Sequence, residues 1–301
     1  MSRRDRAVIF DVQRFSVHDG PGIRTVVFFK GCALDCAWCH NPEAVRPTPE
    51  LTYWRDRCIS GCRECVEVCP ETALFDRIEA RIAWSRCTHC GLCAQTCPAD
   101  ALVMVGREVG QRELLDEVVK DREFFATSGG GVTFSGGEPV LHSAFLGDFL
   151  PLARAEGLHL AIETCGGAPW ELLEPLLPSL DLVLYDLKVM DTALHQRLTG
   201  KDNVQIHEVL RRLLARGIPV EVRMPVVPGH NTDDGNIRAT AAFLTGLGVD
   251  RLSLLPYNHL WEAKLRALDT TRRPLGIRAP EPDFYRELES RFEASGIQPY
   301  R

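Results

Sequence analysis

Eleven of the twelve cysteines fall between Cys32 and Cys97, and the roughly two hundred residues that follow hold only Cys165. A disulfide scaffold this dense is normally a secreted chain of fewer than about 100 residues with cysteines throughout. Crowding into the first third of a 301-residue chain points instead to metal bound by thiolates. The thiols are too many for one structural zinc, and their spacings are the short ones used by iron-sulfur clusters. The rest of the composition is that of an ordinary globular chain, 45% hydrophobic and 25% charged with a net charge of −6. With no basic run beyond Arg3-Arg4, nucleic acid is not an expected partner. No stretch approaches the ~18 to 20 apolar residues of a membrane helix, and the N-terminus lacks the apolar segment of a secretory signal. The expectation is a cytoplasmic protein with no membrane association.

Six apolar, β-branched-rich runs have strand length: Thr25 to Lys30, Val132 to Ser135, His159 to Thr164, Leu182 to Lys188, Val220 to Val227 and Arg251 to Tyr257. Helical patterns separate most of them, at His142 to Ala155, Pro169 to Leu177, Asn203 to Arg216 and Asn236 to Leu247, with a last one at Pro282 to Ala294. Near-continuous apolar strands alternating with amphipathic helices imply a parallel sheet covered by helices. Six units are too few for an eight-unit barrel, which leaves an open (β/α) barrel or a doubly wound sheet. Residues 48–105 break the rhythm with eight cysteines and two Cys-Pro pairs. They divide into two similar halves, Cys58 to Leu74 and Cys87 to Leu102, an internal repeat of about thirty residues. We read the chain as α/β, a partial (β/α)6 TIM-like barrel made of residues 1–47 and 106–301, with an inserted bacterial ferredoxin-like two-cluster domain at 48–105.

Cys32, Cys36 and Cys39 form a C-x3-C-x2-C triad just after the first expected strand. Three is the informative number. A four-iron cube held by three thiolates keeps one iron open to an outside molecule, by the logic that separates catalytic from structural zinc. The competing reading is a zinc knuckle in which Asp35 or His40 supplies the fourth ligand. The other eight cysteines read Cys58-x3-Cys62-x2-Cys65-x3-Cys69-Pro70 and Cys87-x2-Cys90-x2-Cys93-x3-Cys97-Pro98. In two-cluster ferredoxins the fourth cysteine of each run serves the other cluster. The spacing therefore predicts Cys58, Cys62, Cys65 and Cys97 around one cluster, and Cys87, Cys90, Cys93 and Cys69 around the other. One extra residue in the first run, Ser60 or Gly61, is absorbed at the flexible Gly61. Two structural zinc sites are the alternative.

Glycines 129 to 131 and Gly136-Gly137-Glu138-Pro139 bracket the second expected strand. A backbone without side chains lets a ligand come close, and its carbonyls accept hydrogen bonds from an ammonium group. The later strands end in polar residues that packing does not require: Glu163-Thr164, Asp186 and Lys188, Arg223, and Tyr257-Asn258-His259. All fall at the C-terminal strand ends, the rim that builds the site in (β/α) barrels.

The triad, with the aromatic Trp38 before its third cysteine, resembles the signature of the radical S-adenosylmethionine superfamily. Phe15-Ser16-Val17-His18-Asp19-Gly20-Pro21-Gly22-Ile23-Arg24-Thr25, Cys39-His40-Asn41-Pro42-Glu43 and Ser135-Gly136-Gly137-Glu138-Pro139 narrow the likeness to the glycyl radical enzyme activating enzymes. The resemblance implies that the open iron binds S-adenosylmethionine and that its reductive cleavage yields a 5'-deoxyadenosyl radical. That radical then takes hydrogen from a backbone glycine of a partner glycyl radical enzyme. It further implies three 4Fe-4S clusters, an external ferredoxin or flavodoxin as donor, and a monomer. By the same resemblance Gly136, Gly137 and Glu138 hold the methionine amino end, and Asp186, Lys188 and Arg223 contact the carboxylate and ribose. Glu163 and Thr164 match positions that help hold a monovalent cation, with Glu163 where aspartate is usual. Trp38 and either Asn258 or His259 contact the cofactor, and the His18 to Arg24 loop, with Asp19 as a catalytic residue, faces the partner's peptide. Asp191, His195, Thr199-Gly200 and Asn203 also match, either as a family feature or as a surface loop with a capped helix. Two other readings are a radical enzyme acting directly on a small molecule or peptide, and a multi-cluster electron carrier without catalysis.

Overall fold

The computed structural model describes residues 4–300, so residues 1–3 and 301 of the expected core segments lie outside the described residues. The described strands are β1 (Arg6–Ser16), β2 (Arg24–Phe29), β3 (Glu50–Tyr53), β4 (Leu102–Val105), β5 (Arg107–Gly110), β6 (Gly131–Gly136), β7 (His159–Thr164), β8 (Leu182–Asp186), β9 (Val220–Pro225), β10 (Arg251–Leu255) and β11 (Gln298–Tyr300). Nine form one sheet in the order β11-β10-β9-β8-β7-β6-β2-β1-β5, and β3 pairs with β4 separately. From β2 to β11 every pair is parallel, while β1 runs antiparallel to β2 and β5 antiparallel to β1.

The six runs expected as strands are β2 and β6 to β10, with β8, β9 and β10 each ending two residues sooner than expected. From β6 to β11 the spatial order follows the chain order. Each helical crossover therefore advances one strand in the same direction, and the parallel strands have no reversal. That corrects the doubly wound alternative, which requires a switch point where the order turns back. Covering helices at Ser143–Ala155, Val204–Ala215, Asp234–Gly246 and Pro282–Ala294 follow the expected spans closely. Their inward faces repeat at helical spacing, as with Leu146, Phe149, Leu150 and Ala153, all fully buried. Caps set the starts: the Asp233 carboxylate accepts from Asn236 N at 3.0 Å.

Two expectations need correction. The helix expected at Pro169 to Leu177 is a short turn, Trp170–Leu173, followed by a 3-10 stretch, Glu174–Ser179. Pro175 and Pro178 remove the donors a longer α-helix would need there. The antiparallel strands β1 and β5 and the helices Gln111–Val118 and Arg122–Ser128 were not anticipated. β1 is an exposed-and-buried mixture rather than an apolar run, because much of it beyond Ile9 faces solvent.

Residues 50 to 105, bounded by β3 and β4, hold their own small apolar core around Leu51, Tyr53, Cys65, Leu74, Cys93 and Leu102. Two short helices, Glu64–Glu67 and Leu92–Gln95, carry Cys65 and Cys93 into it. The segment is tied to the sheet by Lys30, fully buried, whose Nζ donates to Glu50 Oε1 at 2.8 Å and to Glu43 O at 2.6 Å.

Candidate active site and cysteine cavities

β2 ends at Phe29 and passes the chain into a loop that carries the three cysteines past the C-terminal edge of the sheet. Gly31 N donates to Ala44 O at 2.6 Å, closing the loop at its base. The turn after β6 is laid against it: Gly137 N donates to Phe29 O at 2.8 Å and Glu138 N to Gly31 O at 2.7 Å. Side chains do not fit this contact. A Cβ on Gly137 would stand 2.2 Å from Gly31 O, and one on Gly136, which has φ +111°, would stand 2.4 Å from Phe29 N.

A cavity of about 370 Å³ opens above this contact. Cys32, Cys36, Cys39 and Trp38 wall one side, and Gly136, Gly137, Glu163 and Thr164 another. Asp186, Lys188, Arg223 and Asn258 close the rim, and His18 and Asp19 reach in from the loop before β2. Thirteen of the fifteen residues expected at the core site therefore face one space. The two that do not are Glu138 and His259. His259 is exposed on the turn after β10, so of the two alternatives the cavity is lined by Asn258.

The Glu138 carboxylate turns inward and is fully buried. It accepts from Thr164 Oγ1 at 2.9 Å, Cys165 N at 3.2 Å, Cys165 Sγ at 3.1 Å and Val140 N at 3.3 Å. Burial pushes its carboxyl up, against these donors. Its observed work is to lock the β6 turn to the end of β7, while the backbone of Gly136 and Gly137 is what faces the cavity.

The rim carries a charge network. Arg223, 2% exposed, ion-pairs with Glu163 and, at 3.1 Å, with Asp186. Lys188 Nζ lies 3.4 Å from Asp186. Ser135 Oγ donates to Glu163 at 2.6 Å. Burial would raise Asp186, but Arg223 and Lys188 outweigh it and hold the carboxyl below its usual range. Burial prevails at Glu163, whose carboxyl is pushed up. The residues assigned to a monovalent cation are thus already engaged: a guanidinium bridges Glu163 and Asp186, and the Thr164 hydroxyl is spent on Glu138. In this arrangement their side chains are paired within the protein.

The three core thiols suit a cluster. Burial pushes Cys32 up to about 12 and raises Cys36 and Cys39 as well, so these are sites where only metal makes thiolates favourable. They line a cavity wall rather than meeting at a point, and among the described residues no three His, Cys, Asp or Glu side chains could hold a single ion. In the 50–105 segment the eight cysteines divide between two further cavities. One is lined by Cys58, Cys62, Cys65 and Cys97, the other by Cys69, Cys87, Cys90 and Cys93. Each set takes one cysteine from the opposite run.

Several supports were not legible beforehand. Asp35 N donates to Thr199 O at 2.7 Å and Ala37 N to Leu198 O at 2.9 Å, so the helix Thr192–Thr199 braces the cysteine loop. Its cap is Asp191, and the buried His195 Nδ1 pairs with Lys201 O at 2.6 Å. From the far end of the chain, Arg272 ion-pairs with Asp35, and Lys264 Nζ reaches His40 O at 3.1 Å and Glu43 Oε1 at 2.5 Å. Arg24, fully buried, fixes the His18 to Gly22 loop: it donates to Pro21 O at 3.1 Å, Val132 O at 2.7 Å and Thr133 Oγ1 at 2.6 Å, and Thr133 in turn donates to Asp19 O at 2.6 Å.

Comparison with known proteins follows the same lines. Residues 81–241 match the Radical SAM superfamily, and residues 55–72 match a 4Fe-4S binding domain. The isethionate sulfite-lyase activating enzyme of Nitratidesulfovibrio vulgaris is 44% identical over 295 residues, spanning 96% of this chain and 95% of that one. The trans-4-hydroxy-L-proline dehydratase activating enzyme of Clostridioides difficile is 37% identical, with 96% and 97% covered. Among solved structures, a radical SAM methyltransferase from Sphaerobacter thermophilus aligns over 97% of this chain and 76% of its own with a TM-score of 0.53 at 14% identity, a likeness of fold.

Proposed function

We propose that this chain, which belongs to the glycyl radical enzyme activating enzymes of the radical S-adenosylmethionine superfamily, uses the 370 Å³ cavity at the C-terminal strand ends as its active site. When bound there, a 4Fe-4S cluster and S-adenosylmethionine supply the electron and the sulfonium whose cleavage gives the 5'-deoxyadenosyl radical that takes hydrogen from the partner's glycine. Cys32, Cys36 and Cys39 would hold the cluster by three thiolates, a ligand set that would leave one iron for the methionine end. The carbonyl-bearing backbone of Gly136 and Gly137 receives the amino group, and Glu138 keeps that turn rigid from behind. Lys188 and Arg223 attract the carboxylate, Asp186 orients them and faces the ribose, and Trp38 and Asn258 wall the remainder. Asp19, on the loop clamped by Arg24, positions the incoming glycine peptide, whose arrival closes the cavity against water.

The core is a partial barrel, residues 1–47 and 106–301, and residues 48–105 are a ferredoxin-like insert. Cys58, Cys62, Cys65 and Cys97 would hold one 4Fe-4S cluster and Cys69, Cys87, Cys90 and Cys93 another, and these would supply one-electron transfer from an external ferredoxin or flavodoxin. The observation that carries the reading is the convergence on one cavity of the cysteine loop, the Gly-Gly turn and charged residues from the ends of β7, β8 and β9. The 44% identical relative makes an isethionate sulfite-lyase the first partner to assay.

The test is anaerobic. The reconstituted chain should bind roughly twelve irons, form 5'-deoxyadenosine from S-adenosylmethionine under dithionite, and raise a glycyl radical signal on the partner by electron paramagnetic resonance. Full iron without 5'-deoxyadenosine, and without a spectral response to S-adenosylmethionine, would leave an electron carrier and refute the reading.

A further inference from the structure

Arg81 has no part in the chemistry above, yet its side chain is 2% exposed. It lies between the two cysteine runs and lines the cavity of Cys58, Cys62, Cys65 and Cys97. Nη2 donates to Cys62 O at 2.6 Å and Nη1 to Phe75 O at 3.2 Å. Its carboxylate neighbour, Asp76 at 3.6 Å, is 42% exposed and is shared with Arg63. Arg81 Nε is buried with no hydrogen-bond partner. A buried N–H of a permanently charged group normally finds an acceptor, and the side-chain acceptors walling this cavity are four cysteine sulfurs and the Tyr53 hydroxyl. The second cavity is built differently. Its lining includes Glu71 and His89 but no lysine or arginine.

We infer that Arg81 is a positioning residue that splits the reduction potentials of the two insert clusters, favouring the reduced form of the one held by Cys58, Cys62, Cys65 and Cys97. The inference rests on the reading of the insert as a two-cluster domain. Reduction takes one electron from a low-potential one-electron carrier protein, which is oxidised in the same step. No bond or proton is exchanged, and the cluster gains one negative charge. A buried cation in the cavity wall, with an N–H that no other group occupies, stabilises that added charge, an established lever on cluster potential. An electron entering the insert therefore settles beside Arg81 before it moves on.

The test is a redox titration of the reconstituted full chain, read by electron paramagnetic resonance and preceded by an iron count. Cys58→Ser identifies which signal belongs to the Arg81 cluster. Arg81→Gln should raise that cluster's oxidised-to-reduced ratio at fixed potential about tenfold, a fall of about 59 mV for a one-electron couple, and leave the other unmoved. Arg81→Lys should retain most of the native midpoint. Asp76→Asn, at an exposed position that threatens no fold, should move the same midpoint upward by freeing the guanidinium's charge. Full iron with neither midpoint displaced, or with both displaced alike, overturns the role of Arg81. An insert that takes up no iron overturns the two-cluster reading and this inference with it.

Discussion

Gly137→Ala tests whether the contact between the cysteine loop and the turn after β6 sets the geometry of the site. The new Cβ would stand 2.2 Å from Gly31 O, 2.7 Å from Gly31 C and 3.0 Å from Ala44 O, all backbone atoms. A carbon-to-oxygen contact is comfortable at about 3.3 to 3.6 Å, so the two segments must part by about 1 Å. Two hydrogen bonds hold them together, Gly137 N to Phe29 O at 2.8 Å and Glu138 N to Gly31 O at 2.7 Å. Each is worth about 1 kcal/mol when made and about 1 to 3 kcal/mol when a buried group is left unsatisfied. The expected loss is therefore about 2 to 6 kcal/mol, which lowers the melting temperature by at least ~4 °C at roughly 2 °C per kcal/mol. A 1 Å error in placing reacting groups costs on the order of 100-fold in rate, so 5'-deoxyadenosine formation should fall by that much or more even in preparations matched for iron. Gly246→Ala is the control: it ends a helix with nothing within 4 Å of its added Cβ, and should match the parent. A Gly137→Ala protein that melts, binds iron and cleaves S-adenosylmethionine as the parent does would refute the argument that this contact is tight.

Arg223→Met strips Glu163 of its counter-charge and leaves Asp186 with Lys188 alone, a loss of about 3 to 5 kcal/mol for a broken buried pair; equilibrium dialysis should show S-adenosylmethionine binding lost while iron content stays. Because the guanidinium already bridges those carboxylates, exchanging potassium for tetramethylammonium should change the cleavage rate by less than about twofold, within 0.5 kcal/mol, and a tenfold dependence would reverse the assignment. Asn258→Ala should weaken S-adenosylmethionine binding by roughly tenfold, the worth of one hydrogen bond, whereas His259→Ala, on the exposed face of the same turn, should leave binding unchanged. Cys97→Ala should remove about four irons and the same spectral signal as Cys58→Ala, and it should spare the signal lost in Cys87→Ala; loss of the Cys87 signal instead would undo the interleaved sets.

What the sequence made legible has a common physical character. Buried parallel strands must be apolar on both faces, so β2 and β6 to β10 stood out as runs, whereas β1, with much of its length exposed, did not. The cysteine sets were legible because a cube's ligands come from short, fixed spacings. The exchange of Cys69 and Cys97 between cavities matches the two-cluster pattern in which the fourth cysteine of each run serves the other site. The supports were illegible because they join residues far apart in the chain. Nothing local in Lys264 announces Glu43, 221 residues away, nor in Arg272 its pairing with Asp35.

Neighbouring positions show the same limit at short range. Asn258 and His259 are both polar and both fit the motif, and the course of the turn after β10 decides which one faces the cavity. Glu138 is the sharper case. Its place in Gly-Gly-Glu-Pro assigned it to the ligand, but a carboxylate that accepts from Thr164, Cys165 and Val140 has few lone pairs left for an ammonium group. The chemistry facing the cavity then falls to the carbonyls of residues with no side chain. That is why the two glycines cannot be replaced, and why Glu138 is needed one layer behind them: without its lock on β7, a Gly-Gly backbone would be too mobile to hold anything in place. The same division holds across the rim, where Asp186 fixes Lys188 and Arg223 so that their charges point inward. A ligand entering the cavity would therefore meet backbone held from behind by Glu138 on one wall and cations braced by Asp186 on another.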